Sequence, residues 1–411
     1  MVSAILTHDR PIHVAVDDSV VRPVGDRVVP VRRSRGWAPA PVRLPVQATH
    51  HVLAVGAELK NTVCLARGRR AFVSQHIGDL ENYETFRALE ATVDHMARLF
   101  GVDPTVVAHD LHPEYLSTKH AHDLDAAGGV RLLGVQHHHA HVASCLADNG
   151  RDERVLGVTF DGTGYGTDGT IWGGELLVAD LEDFTRVGHL DTVTMPGGVA
   201  AIREPWRMAA VHLRAAGVDP GGLPVSHRNA ERWDQVLAVA DAGLNAPVTS
   251  SAGRLFDAVA ALLDVRDAIT YEGQAAIGLE QLADPDTTDA HPFTHTLTDG
   301  TVHLHGADLV AAVVDDLRAG TPVPLVAARF HNGVAAGVAD ACRVLAAAHD
   351  LHTVALSGGV FQNVLLTERL VGLLESCGLE VLTHRQVPPN DGGISLGQAA
   401  IAAAVSSRST W

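Results

Sequence analysis

The chain has 411 residues, 46% hydrophobic and 19% charged, the composition of a globular protein long enough to bury a large core. Its 31 Lys and Arg against 48 Asp and Glu leave a net charge of −17, a poor match for nucleic acid or an anionic membrane surface. No apolar run reaches membrane-spanning length and the N-terminus lacks a signal-peptide core, so the expected location is the cytoplasm.

Residues 1–46 differ in character from the rest of the chain. Several prolines and five arginines in a short window (Arg22, Arg27, Arg32, Arg33, Arg35) leave two alternatives, a solvated linker or an arm that holds a phosphate or nucleotide. From His51 the pattern becomes regular. Residues 52–57 read as a buried strand ending at Glu58, followed by two strands, 62–66 and 70–74, with a short turn between them. Phe86, Leu89, Met96 and Leu99 give residues 83–100 helical spacing. Residues 106–109 and 130–135 read as short strands. The second leads into Gln136-His-His-His-Ala-His141, which opens a helix running to Asn149. His137 and His141, four apart, share one face of that helix.

The theme then repeats. Residues 154–160 read as a buried strand ending in a glycine turn, Asp161-Gly162-Thr163-Gly164, and residues 170–179 and 184–190 complete a meander. Repetition of strand, acidic residue, turn and strands predicts an α/β protein duplicated as two lobes with a nucleotide cleft between them. The expected division is 1–46, a first lobe at 47–150, and a second at 151–411 with a helical insertion. That insertion covers about 202–263. Residues 284–323 read as loops with a short hairpin, and 325–350 as an Ala-rich core helix. A strand at 353–356 precedes Ser357-Gly358-Gly359, and Asn390-Asp391-Gly392-Gly393 opens the last helix.

Three glycine turns, two of them with an aspartate, favour nucleotide binding, although none forms a Walker A loop or a Rossmann fingerprint. Asp161 and Asp391 can join His137 and His141 as two imidazoles and two carboxylates, a set suited to Fe, Mn or Zn with positions left for water or phosphate oxygens. The structural alternatives are a turn-forming Asp161 and a helix N-cap at Asp391. Cys64, Cys145, Cys342 and Cys377 are isolated, as expected of small buried residues in a reducing compartment. No nucleophile elbow or activated cysteine is present, so positioning and electrostatic catalysis on an activated substrate fits best.

Several strings carry a resemblance: Glu58-Leu-Lys60-Asn61, Asp110-Leu-His112-Pro, Gln136–His141, Asp161–Gly164, Trp172-Gly-Gly-Glu175, Tyr271-Glu-Gly-Gln274, Ser357–Asn363 and Asn390–Gly393. Over about residues 50–405 the chain resembles the HypF carbamoyltransferases of nickel–iron hydrogenase maturation. The match falls on that family's C-terminal module, which is similar to the tRNA threonylcarbamoyl transferases. The resemblance implies a duplicated actin-like (ASKHA) fold, with His137, His141, Asp161 and Asp391 as metal ligands. It places nucleotide phosphates near Thr163 and Gly164 and the nucleoside near Gly358, Gly359 and Asn363. Lys60 and His138 are candidates to assist catalysis on sequence proximity alone.

The implied cofactors are ATP and a divalent ion, iron by family expectation, with zinc or magnesium also compatible. The implied reaction carries a carbamoyl group from carbamoyl adenylate, made from carbamoyl phosphate and ATP, to the C-terminal cysteine of a HypE-like acceptor. Zinc-finger cysteines are missing, and there is no room for acylphosphatase-like and YrdC-like domains. The first 46 residues resemble the tail end of a YrdC-like domain, so the chain is expected to be either a transfer module with a separate YrdC-like partner or a fragment. The alternatives are an O-carbamoyltransferase of a natural-product hydroxyl and a non-catalytic actin-like nucleotide-binding scaffold. No membrane or direct nucleic-acid partner is expected.

Overall fold

The computed structural model describes residues 3–408, so the outermost ends of the expected 1–46 and 151–411 segments lie outside the described residues. Strands β1 (Val20–Val24) and β2 (Arg27–Arg32) form an antiparallel hairpin apart from the main sheets. The arginine-rich segment is therefore ordered structure rather than a solvated linker. Strands β3 (Val42–Ala54), β4 (Cys64–Val73), β5 (Val106–Asp110) and β6 (Arg131–Val135) form a sheet in the order β4-β3-β5-β6. The β3–β4 pair is antiparallel and the others are parallel. Residues 62–66 and 70–74, expected as two strands, belong mostly to the single strand β4. Gly68 lies opposite Ala48, where the register of β3 shifts, so the chain bends without leaving the sheet.

Strands β7 (Val155–Tyr165), β8 (Ile171–Ala179) and β9 (Phe184–Leu190) form the expected antiparallel meander. Two short strands pair with each other, β10 (Val193–Thr194) ahead of the helical insertion and β11 (Val248–Thr249) within it, before the helix Ala252–Leu262, and β12 (His295–Thr298) and β13 (Thr301–Leu304) form a hairpin. With β14 (Thr353–Ser357) and β15 (Glu380–Leu382), the second sheet runs β12-β13-β9-β8-β7-β14-β15. Its last four strands, β8-β7-β14-β15, repeat β4-β3-β5-β6 in order and direction. The helices repeat as well. Tyr83–Phe100 matches Val323–His349, Leu116–Ala127 matches Val364–Ser376, and His137–Asp148 matches Ile394–Arg408. The molecule is thus a duplicated actin-like α/β fold, with β9 unmatched in the first lobe. A helix at Gly306–Ala319 replaces part of the expected loop, its Leu309, Val310, Val313 and Val314 forming a buried stripe.

The two terminal helices of the repeats pack against each other between the sheets. They approach at Gly397, where a side-chain Cβ would lie 1.9 Å from the Ala140 carbonyl oxygen. This crossing falls one turn into each helix. It therefore brings both helix starts together, and with them His137 and Asp391.

Candidate metal centre

Gln136 caps the histidine helix, its side chain accepting from the His139 N–H at 2.9 Å while donating to the Tyr165 carbonyl at 3.0 Å. The helix is buried along its whole length, so both i, i+4 imidazoles point into protein. Asp161 does not sit in a turn. Strand β7 continues through Asp161-Gly162-Thr163-Gly164 to Tyr165, with a register shift between Phe160 and Gly164 that turns the Asp161 side chain towards the histidines. Asp391 opens a short 3-10 turn ahead of the last helix. The cap of that turn is Asn390, which accepts from Gly392 N–H at 3.0 Å, so Asp391 does not serve as a helix N-cap.

One ligand atom from each of His137, His141, Asp161 and Asp391 lies within 4.8 Å of all the others. His137 Nε2 is 3.4 Å and His141 Nε2 is 3.3 Å from Asp161 Oδ2, and both are 3.7 Å from Asp391 Oδ1. Ligands about 2.1 Å from a shared ion at tetrahedral angles stand about 3.4 Å apart, so these spacings fit one ion. His137 Nδ1 donates to Asp110 Oδ2 at 2.7 Å, because a carboxylate only accepts. Its Nε2 therefore aims a lone pair at two carboxylates, an arrangement that a cation or a proton reconciles. Burial works against the His137 imidazolium, but Asp110 and Asp391 hold its pKa well above the ordinary value. Burial favours neutral Asp161, but hydrogen bonds from His137 and His141 hold it well below the usual carboxylate range.

A cavity of about 610 Å³ opens beside Asp161 and Lys60, lined also by Arg22, Arg254, Gly359 and Asn363. Gly359 N–H donates to Asp161 Oδ1 at 3.0 Å. Asn363 caps the following helix, accepting from Leu366 N–H at 2.9 Å, and contacts His331 Nε2 at 2.9 Å. Thr163, Gly164 and Gly358 are not among the lining residues. Lys60 pairs with Glu272 across the lobes; burial opposes its charge, but Glu272, Asp391 and Asp161 keep its pKa above the ordinary lysine value. His138 is fully buried against Gly164 and Trp172, outside the cavity. Burial and then the charges of His137 and His141 push its pKa well down.

Asp110 carries the centre's most direct support, yet its partner is 27 residues away, beyond the reach of local pattern. Of the five arginines, Arg22 and Arg32 line the cavity, while Arg33 ties Val73, Gln386, Trp37 and Ala40 carbonyls together. Three cysteines are buried as expected, but Cys377 is exposed. Burial pushes the Cys64 thiol up to about 12 and those of Cys145 and Cys342 higher still.

The fold and the four-donor centre define a two-lobed actin-like protein with a candidate metal site at the head of its interlobe cavity. Two family descriptions match it: "HypF Kae1-like domain" over residues 47–148 and "Carbamoyltransferase, Kae1-like Domain, second subdomain" over residues 157–398. The chain belongs to the HypF carbamoyltransferase family. It is 42% identical to carbamoyltransferase HypF2 of Cupriavidus necator, over 97% of this chain and 52% of that protein. A carbamoyltransferase HypF homolog of the same organism is 40% identical over 88% of this chain and 93% of its own length. A crystal structure of full-length HypF in its phosphate- and nucleotide-bound form superposes with a TM-score of 0.92 at 39% identity, covering 99% of this chain and 63% of that one. The T. kodakarensis HypF structure gives a TM-score of 0.84 at 31% identity, covering 94% of this chain and 51% of that one. The chain spans about half the length of HypF2 and of several other curated HypF proteins it matches. Among the described residues, no helix is long and apolar enough to cross a membrane.

Proposed function

We propose that this chain transfers a carbamoyl group from carbamoyl adenylate to the C-terminal cysteine of a HypE-like acceptor in hydrogenase maturation, acting in the cytoplasm. The observation that carries this is the four-donor cluster of His137, His141, Asp161 and Asp391 beside a cavity of nucleotide size. These residues would hold a divalent ion, iron by preference, with zinc or magnesium also compatible. Such an ion, when bound, supplies Lewis acidity towards a carbonyl or phosphoryl oxygen.

The protein's own groups do the positioning. Gly359, through its N–H, fixes the Asp161 carboxylate that borders the cavity. Gly358, Gly359 and Asn363 belong to the nucleoside side in this proposal, and Thr163 and Gly164 to the phosphate side. Lys60 places a cation at the cavity edge, where it steadies the charge that leaves with the phosphate. His138 reaches the reaction only through Gly164 and His137. The acceptor thiolate bonds the carbamoyl carbon, the carbon–oxygen bond to phosphate breaks, and AMP departs with the electron pair. A YrdC-like domain supplies the adenylate.

The test is mass spectrometry of a HypE acceptor after incubation with this chain, a YrdC-like domain, carbamoyl phosphate and Mg-ATP. A carbamoylated terminal cysteine that disappears with His141→Ala supports the proposal. An unmodified cysteine with folded, nucleotide-binding protein defeats it. Omitting the YrdC-like domain tests the requirement for it.

A further inference from the structure

Four cations line the cavity: Arg22, Arg32, Lys60 and Arg254. Three of them hydrogen-bond a carboxylate, Arg22 with Glu280, Arg32 with Asp17 and Lys60 with Glu272. Arg254 differs. Its side chain is 5% exposed and its Nε has no hydrogen-bond partner. The carboxylate beside it, with Asp257 Oδ2 at 2.8 Å from Nη2, is left without a hydrogen bond at that oxygen too. The two groups therefore touch as an ion pair without the alignment of a hydrogen bond. A guanidinium carries five N–H donors and no acceptor, and burial strips it of water that no group among the described residues replaces.

Local structure fixes where this side chain stands. It leaves the first turn of the helix Ala252–Leu262, whose Gly253, Phe256 and Asp257 also line the cavity. Ser251 caps that helix, accepting from Arg254 N–H at 3.1 Å, and donates to the Gly162 carbonyl at 2.6 Å. Gly253 lets the helix start lie against β7, since a Cβ there would stand 3.0 Å from Gly162 Cα. A Cβ on Gly162 would in turn stand 3.7 Å from Arg254 Nη2. The guanidinium is thus held on the cavity wall beside the residue that follows Asp161.

The unused donors set the chemistry of what completes them. A guanidinium fork matches two oxygens of one anion, a carboxylate or a phosphate. In a cavity of nucleotide size next to a candidate metal centre, that anion is the phosphate of the nucleotide. Asp257 repels the same anion and so limits its affinity, which suits a product that has to leave. Burial pushes the Asp257 carboxyl up to about 6, against the opposing pull of Arg254, so at pH 8 the carboxylate is charged.

We propose that Arg254 binds the phosphate of the nucleotide through its unused N–H groups, with Asp257 as a counter-charge that weakens the hold. This deepens the nucleotide reading of the cavity under Proposed function and rests on it.

The test is calorimetry at pH 8 with AMP and with adenosine, ligands that differ by the phosphate alone. Wild type is expected to bind AMP more tightly. Arg254→Gln should weaken AMP by about 10- to 100-fold, the loss of a charge-assisted contact, and leave adenosine unchanged. Arg254→Lys should fall between the two, keeping the charge and losing the fork. Asp257→Asn should act in the opposite direction, tightening AMP by about threefold or more without moving adenosine, because a buried opposing charge is gone. That variant keeps Arg254, so a folding failure of Arg254→Gln does not protect the proposal. Equal losses of AMP and adenosine in either variant would place the pair against the nucleoside or in the framework, and overturn it. So would an AMP affinity unmoved by Arg254→Gln or lowered by Asp257→Asn. A wild type that binds neither ligand overturns the nucleotide reading and the proposal with it, whereas failed carbamoyl transfer with these affinity changes intact defeats only the acceptor chemistry.

Discussion

Asp110 and His137 are bound at 2.7 Å, and both side chains are completely buried. Asp110 ends β5 in the first lobe and also accepts from His112 N–H at 2.9 Å, which fixes the carboxylate plane. A carboxylate behind a ligating imidazole raises the basicity of the facing nitrogen. Asp110→Asn keeps the shape but removes the charge. It should weaken divalent-metal affinity by about 10-fold or more, with little change in nucleotide affinity. Chelator competition alongside calorimetry with AMP separates the two; equal losses in both would point to general disruption of the cavity instead.

Gly164 has no room for a side chain. A Cβ there would lie 2.5 Å from His138 Cε1 and 2.8 Å from His137 Cδ2. These rings sit in the first turn of a fully buried helix and cannot swing aside. Gly164→Ala should cost about 1–3 kcal/mol of stability, as overpacking of a dense core does. It should also release bound metal, because the displaced ring belongs to His137, one of the four proposed ligands. Urea denaturation and metal content of the purified variant check both, and a fully metallated variant would contradict the assignment of His137.

How much of the fold and the site is legible in sequence depends on the range of each interaction. His137 and His141 announce themselves because helical spacing is local. The repeat of strands and helices is visible for the same reason. Glycine misleads twice, at Gly68 and across Asp161–Gly164, because a residue that permits a turn also permits a bulge within a continuing strand. The helix at Gly306–Ala319 is lost among polar neighbours, although its apolar residues have helical spacing. Asp110 and Arg22 acquire their meaning only from partners brought close by the fold, and no window of sequence holds both members of either pair.

Arg22 reaches from the N-terminal hairpin to the second lobe, binding Glu280 through two nitrogens at 3.0 and 2.9 Å and the Gln362 carbonyl at 2.9 Å. Glu280 also accepts from Val364 N–H at 2.8 Å, and both Arg22 and Glu280 line the cavity. Arg22→Ala removes one wall and leaves Glu280 without its cation. Because the guanidinium is partly exposed, the stability loss should stay near about 1 kcal/mol. Affinity for AMP should fall by about 10-fold, the loss of one charge-assisted contact and its wall. Unchanged AMP affinity would show that the hairpin covers the cavity without contributing to binding.

His212 gives the fold a predictable weakness in acid. It lies on the helix Trp206–Ala215 with 3% of its surface exposed, and its Nε2 has no hydrogen-bond partner. Burial alone pushes its pKa down to about 4, whereas in the unfolded chain it titrates near about 6.5. The unfolded state therefore binds the proton first. Above about pH 6.5 His212 adds no pH dependence; as pH falls through that value its protonation favours unfolding, and the effect saturates below about pH 4. A difference of about 2.5 units corresponds to about 3 kcal/mol at the acid limit. His212→Leu removes the titration while filling the site. Its stability advantage over wild type should grow steadily from pH 7 to pH 4.5 in urea titrations. A constant difference across that range would mean that His212 finds a proton acceptor when charged.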